Sequence, residues 1–525
     1  MAMQYKSFEE AKTKFHWNER WQIFDSGPET LNIAHECVDR HPKDWTAIRI
    51  KRSDSGREIY TFDEISRLTS QFANMLEELG IKKGDRIAII LDPSLEYYVS
   101  FYGTLKRGAV AVPCYSLLGP DGIAYRLRES KAKVAIISRE RQRKGIVRQG
   151  QISHLMTSDD LLGLLEKQSE QYTASTSANT LALIQFSSGT TGQPKQVLYN
   201  HSAASVTAVF ARLWLGLSDG DRYMCTSSPA WGHGIWYGTV GPLIFGNGIG
   251  AYSGKFDPKV FLEGLEEFEI SVLSAIPRVY QMLMECGLLE QYRLHLRRLT
   301  YTGSEMHKSV AQYFKDKFGL HIGATYGNTE SGPVVLDFAF DDWVPRLGSS
   351  GKPMFGVKIA VLDEGGDELP PGQIGEVAVW RSGKWNLMGD FGYFDEDGYF
   401  WPQGRSDDVI KSSGYRIGPF EIEDVLEKHP AVQRAAVVGV PHEERGEIVK
   451  AFIVLKPNVQ GTDALQNEIQ AFVKNRLSLH EYPKEIEFIE KLPETPDGKL
   501  QRKKLKVMEY EKKDLKLPGR EKGKS

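Results

Sequence analysis

The stretch LIQFSSGTTGQPKQVLYNH (183–201) passes from apolar side chains to almost none and then to a cation. Ser187, Ser188, Gly189, Thr190, Thr191 and Gly192 are all small, and Pro194 and Lys195 follow. Small residues let a backbone approach phosphate oxygens closely and offer them N–H groups and hydroxyls. A strand feeding such a loop reads as an anion cradle; a flexible surface connection is the alternative. It is not a Walker A loop, because the order GxxxxGK[ST] does not occur. The chain also offers no enzyme nucleophile, having neither a nucleophile elbow nor a Cys–His arrangement. Cys37, Cys114, Cys225 and Cys286 lie far apart with no CxxC pair, which fits a reducing compartment and no structural zinc.

Alternating helices and strands must position this loop. TFDEISRLTSQFANMLEELG (61–80) has a capping box at Thr61 and Glu64 and an apolar stripe through Ile65, Leu68, Phe72, Met75, Leu76 and Leu79. Gly80 supplies its stop. The runs 85–91 and 131–138 suit buried parallel strands, and 95–107 is a helix between them. This order predicts an α/β fold, with a parallel-rich sheet covered by helices on both faces. Residues 363–376 read as a polar Gly/Pro loop between strands, and 404–419 as a boundary rich in charge and glycine. Beyond it PFEIEDVLEKHP is a Pro-started helix, AAVVGV and AFIVLKP are strands, and 463–479 is an amphipathic helix. Residues from 408 onward are expected to form a small α+β domain hinged to a large N-terminal body.

Four more stretches follow in order: YGNTESG (326–332), GDFGYFDEDGYFWPQGRSDD (389–408), SSGYRIGPFEIE (412–423) and PDGKLQRKKL (496–505). With SSGTTGQPK they resemble the signatures of the adenylate-forming superfamily, which includes acyl-CoA synthetases, nonribosomal peptide adenylation domains and beetle luciferases. The resemblance covers nearly the whole chain. It implies an N-terminal domain over 1–405 holding ATP and the acyl group, with a small β-barrel-like part, and a mobile C-terminal domain over 408–525. It also implies a two-step reaction that uses ATP, Mg²⁺ and coenzyme A. A carboxylate attacks the α-phosphate of ATP, pyrophosphate leaves, and a thiol then displaces AMP from the acyl-AMP. Positioning and charge neutralisation carry such catalysis.

The same resemblance assigns roles. Ser187 to Gly192 and Lys195 hold the β- and γ-phosphates. Gly303, Ser304 and Glu305 lie at the base, and Tyr326, Gly327 and Asn328 line the adenine side, with Tyr326 stacking on the ring. Thr329 touches the α-phosphate and Glu330 holds Mg²⁺. Asp390 accepts hydrogen bonds from both ribose hydroxyls, a task suited to a carboxylate, and Arg405 adds a ribose or phosphate contact. Lys499 bridges the carboxylate and the α-phosphate. Asp407 is the hinge; Gly414 and Tyr415 lie along the pantetheine path, and Arg416 meets a coenzyme A phosphate.

The acid is read from SSPAWGHGIWYG (227–238), the segment that lines the acyl pocket in relatives. Trp231, beside Gly232, is the candidate wall, an ordinary core tryptophan being the alternative. Acetate-specific members carry tryptophan where this chain has Gly327, so an open floor and an acid larger than acetate are expected, with about 0.8 kcal/mol from each buried methylene. The carboxy-terminal motifs look most like medium-chain acyl-CoA synthetases, with benzoate-type and alicyclic-acid ligases as close neighbours. Relatives carry a longer segment between residues 380 and 389, and between 140 and 180. A stand-alone enzyme loading a carrier protein is the alternative function; no carrier domain follows Leu505, so it would need a separate partner. A net charge of −3 over 525 residues gives no reason to expect nucleic acid or an anionic membrane as partner. A homodimer is compatible with the resemblance. The charged start MAMQYKSFEEAKTKF lacks the apolar core of a secretory signal, so a cytoplasmic location is expected.

Overall fold

The computed structural model describes residues 3, 5–147, 150–187, 194–328, 331–405, 408, 410–412, 415–442, 446–477, 482–495 and 500–512. Packing divides the chain into two compact units. One comprises residues 1–302 and 312–345; the other comprises 303–311 and 346–525. Residues 346–405 thus group with the C-terminal part.

The first unit is built on two parallel-rich sheets. In one, the strands run in the order His154–Thr157, Val134–Ile137, Arg86–Ile90, Val110–Pro113, Leu181–Ser187, Lys195–Asn200. All neighbours are parallel except the last pair. Val134–Ile137 and Val110–Pro113 are buried at every residue, as expected of strands covered on both faces. The other sheet runs Gly332–Leu336, Ile322–Asn328, Arg298–Tyr301, Val272–Ala275, Tyr223–Cys225, Ile249–Ser253, Thr46–Arg52, Arg57–Thr61. Its two edge pairs are antiparallel.

Helix Phe62–Glu78 begins at the predicted capping box. Glu64 N donates to Thr61 Oγ1 at 3.3 Å and Thr61 N donates back to Glu64 Oε2 at 2.8 Å. Gly80, at φ 74°, supplies the left-handed residue just past its end. The next helix, Leu95–Lys106, is buried at every residue except Glu96. Tyr97 Oη donates to the Pro229 carbonyl at 3.1 Å and Tyr102 Oη to the Thr239 carbonyl at 2.8 Å, tying it to the segment expected to line the acyl pocket. Its last residue, Lys106, is buried and paired with Asp39 at 2.7 Å, with Ser70 Oγ at 3.1 Å and the Ser66 carbonyl at 3.3 Å taking its other two donors.

The second unit contains an antiparallel sheet of Ile359–Leu362, Gly375–Arg381, Lys384–Phe394 and Phe400–Arg405. The predicted polar loop 363–376 joins its first two strands. A further sheet orders Tyr415–Ile417, Ile410–Ser412, Gly446–Leu455 and Val432–His442, with Glu485–Phe488 parallel to Gly446–Leu455. Alternation along Val432–His442 sends Ala435 and Val437 into one apolar cluster and Ala436, Val438 and Val440 into another. Helices Pro419–Leu426 and Asp463–Lys474 cover the first cluster, and Leu505 of Arg502–Lys512 covers the second. Among the described residues, no helix is long and apolar enough to cross a membrane.

Candidate active site

In the first unit, Ser187 ends strand Leu181–Ser187 and stands opposite Lys195, an exposed residue that opens the returning strand. Ser188, Gly189, Thr190, Thr191 and Gly192 lie outside the described residues. The base of their loop is fastened by helix Pro120–Ser130: Tyr125 Oη donates to the Pro194 carbonyl at 2.9 Å, and Gln196 Nε2 donates to the Glu129 carbonyl at 2.7 Å. Sequence reasoning did not reach this clamp, because its halves are some 65–70 residues apart.

Tyr326 pairs with Val335 and Asn328 with Gly332, across a register shift between Tyr326 and Gly327. Asn328 Oδ1 accepts from Ser331 N at 2.7 Å, closing the turn that bears Thr329 and Glu330, which lie outside the described residues. The expectation of open space at Gly327 is corrected here. A Cβ on Gly327 would run into the Gly332 carbonyl oxygen and lie 2.7 Å from Pro333 Cα. Glycine is required there by the approach of two strands, so it carries no information about a pocket floor.

The segment 227–240 turns out to be organised around a residue that was not singled out. His233 is buried; its Nδ1 lies 2.7 Å from Ser227 Oγ and its Nε2 lies 2.8 Å from Ser274 Oγ, which accepts from Thr300 Oγ1 at 2.8 Å. Burial pushes the imidazole down to about 3, so it is neutral at physiological pH. It opens the π-helical stretch His233–Val240, a rare form concentrated at functional sites. Trp231 is half-buried with its ring edge-on to His233 at 5.6 Å. A Cβ on Gly232 would meet the buried Gln185 amide at 3.2 Å, so the backbone lies close over the strand that feeds the loop. A crevice of about 10 Å³ lies behind, bounded by Tyr98, Cys225, Ser227, Gly234 and Ala251. The only sequence signal was a lone histidine among apolar residues; its partners are brought in by the sheet.

In the second unit, Gly303 takes a left-handed φ of 99° and Ser304 is exposed. The Glu305 carboxyl has a buried Oε2 without a hydrogen-bond donor. Burial pushes it up to about 8, with Glu423 and Asp390 adding to the shift and Arg502 opposing it. Asp390 is buried in strand Lys384–Phe394 and stands directly opposite Arg405 on the neighbouring strand. Tyr415 and Arg416 return along Ile410–Ser412, Arg416 opposite Lys411. Gly414, Asp407 and Lys499 lie outside the described residues. The chain flanking Lys499 is closed by a bridge between Glu494 and Leu500 and by Gln501 N donating to the Pro493 carbonyl at 2.9 Å. Arg502 forms a two-pronged ion pair with the buried Glu423, one prong at 2.9 Å from Nε, and lies 3.5 Å from Asp408.

The parallel-rich sheets of the first unit and the order of the motifs along the chain point to one class. Residues 34–389 match the AMP-binding enzyme family and residues 421–499 the AMP-binding enzyme C-terminal domain, and the chain belongs to this family. It is 34% identical to the acetyl-coenzyme A synthetase of Bacillus subtilis over 96% of its length and 95% of that protein. It is 34% identical to the mitochondrial acyl-coenzyme A synthetase ACSM3 of Rattus norvegicus, over 92% of this chain and 91% of that one. Among solved structures, the anthranilate CoA ligase AuaEII in complex with anthranoyl-AMP matches with a TM-score of 0.84 at 27% identity, covering 93% of this chain and 99% of that one. A benzoate CoA ligase from Burkholderia xenovorans LB400 matches with a TM-score of 0.80 at 27% identity, covering 90% and 99%. The protein is an AMP-forming acid–CoA ligase that joins a carboxylic acid to coenzyme A through acyl-AMP, using ATP and Mg²⁺.

Proposed function

We propose that the acid is a monocarboxylic acid with an uncharged tail larger than acetate, either a short- or medium-chain fatty acid or a cyclic or aromatic one. The observation that carries this reading is the wall segment 227–240. It holds no Asp, Glu, Lys or Arg; its one imidazole, His233, is neutral among Trp214, Trp231 and Tyr237, and burial raises the Tyr237 phenol so that it too is uncharged. A second carboxylate against such a wall would lose its hydration without gaining a partner. Apolar carbons gain from the same burial.

The remaining assignments belong to the same proposal. Ser187 to Gly192 with Lys195 take the β- and γ-phosphates, and Tyr326 and the 303–305 loop take adenine. Asp390 and Arg405 take the ribose, a role supported by their direct cross-strand pairing. Thr329 meets the α-phosphate. Glu330 offers the hard oxygen ligand that Mg²⁺ takes, on the turn closed by Asn328 and Ser331. Lys499 stabilises the charge that develops as the carboxylate attacks phosphorus. The part beyond Asp407 then turns, bringing Gly414, Tyr415 and Arg416 to coenzyme A. Three of the four free cysteines are buried, Cys286 half so, and all suit a reducing compartment, in our reading the cytoplasm.

A pyrophosphate-release screen over acetate, butyrate, octanoate, benzoate, cyclohexanecarboxylate and succinate tests the acid. The expected order puts octanoate, benzoate or cyclohexanecarboxylate first and succinate last; preference for acetate or succinate would refute it. Asp407→Pro is expected to leave acyl-AMP formation measurable and to stop thioester release, and normal turnover of both steps would discard the hinge.

A further inference from the structure

Segment 303–311, a loop that runs into the first turn of helix Lys308–Phe318, belongs to the second compact unit although the chain on either side of it belongs to the first. Charged groups line its contact there. His307 stacks on Phe420 with centroids 5.2 Å apart. Its Nδ1 lies 3.6 Å from Asp424 Oδ1 and its Nε2 lies 3.3 Å from Glu427 Oε2. Phe420 and Asp424 belong to helix Pro419–Leu426, and Glu427 caps its end. The next residue joins the contact, Lys308 N donating to Asp424 Oδ1 at 3.2 Å.

Among the described residues Nδ1 makes no hydrogen bond, its 3.6 Å to Asp424 being beyond that reach, so a second donated hydrogen bond does not hold the ring. Two carboxylates within ion-pair distance of its nitrogens nevertheless favour the charged form by direct attraction. We infer that His307 is a positioning residue: its imidazolium fastens segment 303–311 to helix Pro419–Leu426, and the fastened state favours adenylation over thioester formation. The inference rests on the proposed turning of the part beyond Asp407. The bias toward adenylation follows from neighbours. Helix Pro419–Leu426, which His307 fastens to the segment bearing Glu305, also holds Arg502 through Glu423, and Arg502 is three positions past Lys499 in the sequence, so the fastened state is the one we assign to Lys499 acting on nucleotide.

The surrounding charges agree. Burial opposes the His307 charge, but Asp424 and Glu427, with Glu423 behind them, outweigh it and raise the ring above its ordinary value. Asp424 would be raised by burial, yet His307 and Lys428 hold it down to about 2. Glu427 is raised by burial, with His307, Ala435 N and Arg434 opposing. Glu305 is the remaining titratable neighbour on the loop. Because the ring gains its proton more readily when fastened, the latch is complete below about pH 6.5 and is lost as pH rises through the raised value.

The test uses the full-length enzyme with His307→Gln and, separately, Asp424→Asn/Glu427→Gln. Hydrogen exchange of helix Pro419–Leu426 is measured from pH 6 to 9, beside the two half-reactions: pyrophosphate release, and thioester formation from supplied acyl-AMP. In the wild type the helix should lose protection across this range, in excess of the intrinsic pH dependence of exchange. Both variants should lose that excess. At pH 6 they should adenylate about three- to tenfold more slowly while forming thioester at least as fast. Persistence of the wild-type profile in His307→Gln, or equal loss of both half-reactions, overturns the inference. Loss of the exchange profile with neither half-reaction changed also overturns it, and in that case the turning of the C-terminal part is what fails.

Discussion

Gly327 provides a sharp test because two readings of it lead to opposite outcomes. If the glycine leaves room for substrate, a methyl group there is harmless to the fold and trims the pocket. The geometry says otherwise. A Cβ would lie 2.7 Å from Pro333 Cα, where ordinary contact begins at 3.4 Å, and the Gly332 carbonyl oxygen is nearer still. Both obstacles are backbone, so no rotamer relieves them; the strands must part by several tenths of an ångström beside an existing register shift. Overpacking of this kind costs ~1–3 kcal/mol, and weakening a ladder hydrogen bond adds about 1 kcal/mol. Gly327→Ala is thus expected to cost the Ile322–Asn328 and Gly332–Leu336 pair ~3 kcal/mol, or about a hundredfold in local opening. Gly332→Ala is the control. At φ 65° its Cβ meets no described atom within 4 Å, so only left-handed strain of about 1–2 kcal/mol applies. Hydrogen exchange of peptides covering Ile322–Asn328 reads both. If Gly327→Ala exchanges like the wild type, or no faster than Gly332→Ala, the steric account is wrong and the pocket-floor reading returns.

Lys499→Ala should lower pyrophosphate release by ~10²-fold or more and spare thioester formation from supplied acyl-AMP; equal loss of both steps would refute the assignment. Tyr125→Phe removes the donor to the Pro194 carbonyl at the base of the phosphate loop. It should raise KM for ATP about fivefold with an unchanged melting temperature, and an unchanged KM would separate the clamp from nucleotide binding. Burial pushes His41 to about 4 and His201 and His233 to about 3. Their unfolded value is near 6.5, so stability is complete above it and falls as pH drops toward 4 and 3, by up to ~1.4 kcal/mol per pH unit for each ring. Urea unfolding should show this slope, reduced by one proton in His201→Asn; an unchanged slope would contradict a neutral buried ring. Glu305, pushed to about 8, should ionise beside Asp390 as pH rises. AMP binding should weaken about tenfold between pH 7 and 9, and Glu305→Gln should abolish that dependence; a pH-independent wild type would refute it.

Local signals in the sequence were accurate where the chain interacts with itself over short distances. The Thr61–Glu64 box, the helix from Leu95 to Lys106 and the strand Val134–Ile137 follow from capping and periodicity, which need only neighbouring residues. The polar loop 363–376 is legible for the same reason: Asp363 Oδ1 accepts from Gly365 N at 2.8 Å and Asp367 N at 3.0 Å. What could not be read depends on partners that only the sheets supply. Ser274 and Thr300 meet His233 from separate strands, and Tyr125 reaches Pro194 from a helix 69 residues earlier. Gly327 misled for a related reason. A glycine signals a close approach, and its sequence neighbours do not say whether ligand or backbone makes it.

The charges around Glu305 explain how an acidic neighbourhood can serve a polyanion. Among the described side chains, Glu423, Asp408 and Glu305 act on the guanidinium of Arg502, and Asp390 acts on Glu305. Fully ionised, those carboxylates would repel the phosphates that the proposed Asp390–Arg405 pair must receive. Two features reduce the repulsion. Arg502 is committed to Glu423 by a two-pronged contact, which neutralises that carboxylate where water cannot screen it. Glu305 has an oxygen with no donor and, through burial, keeps its proton at neutral pH. Both features lower the negative charge around Asp390, which we assign to the ribose. Moving Arg502 away would remove the cation that now opposes the Glu305 shift and would raise the Glu305 pKa further. If Glu305 lies at the nucleotide, as we propose, proton uptake there is expected to depend on the buried Arg502–Glu423 pair.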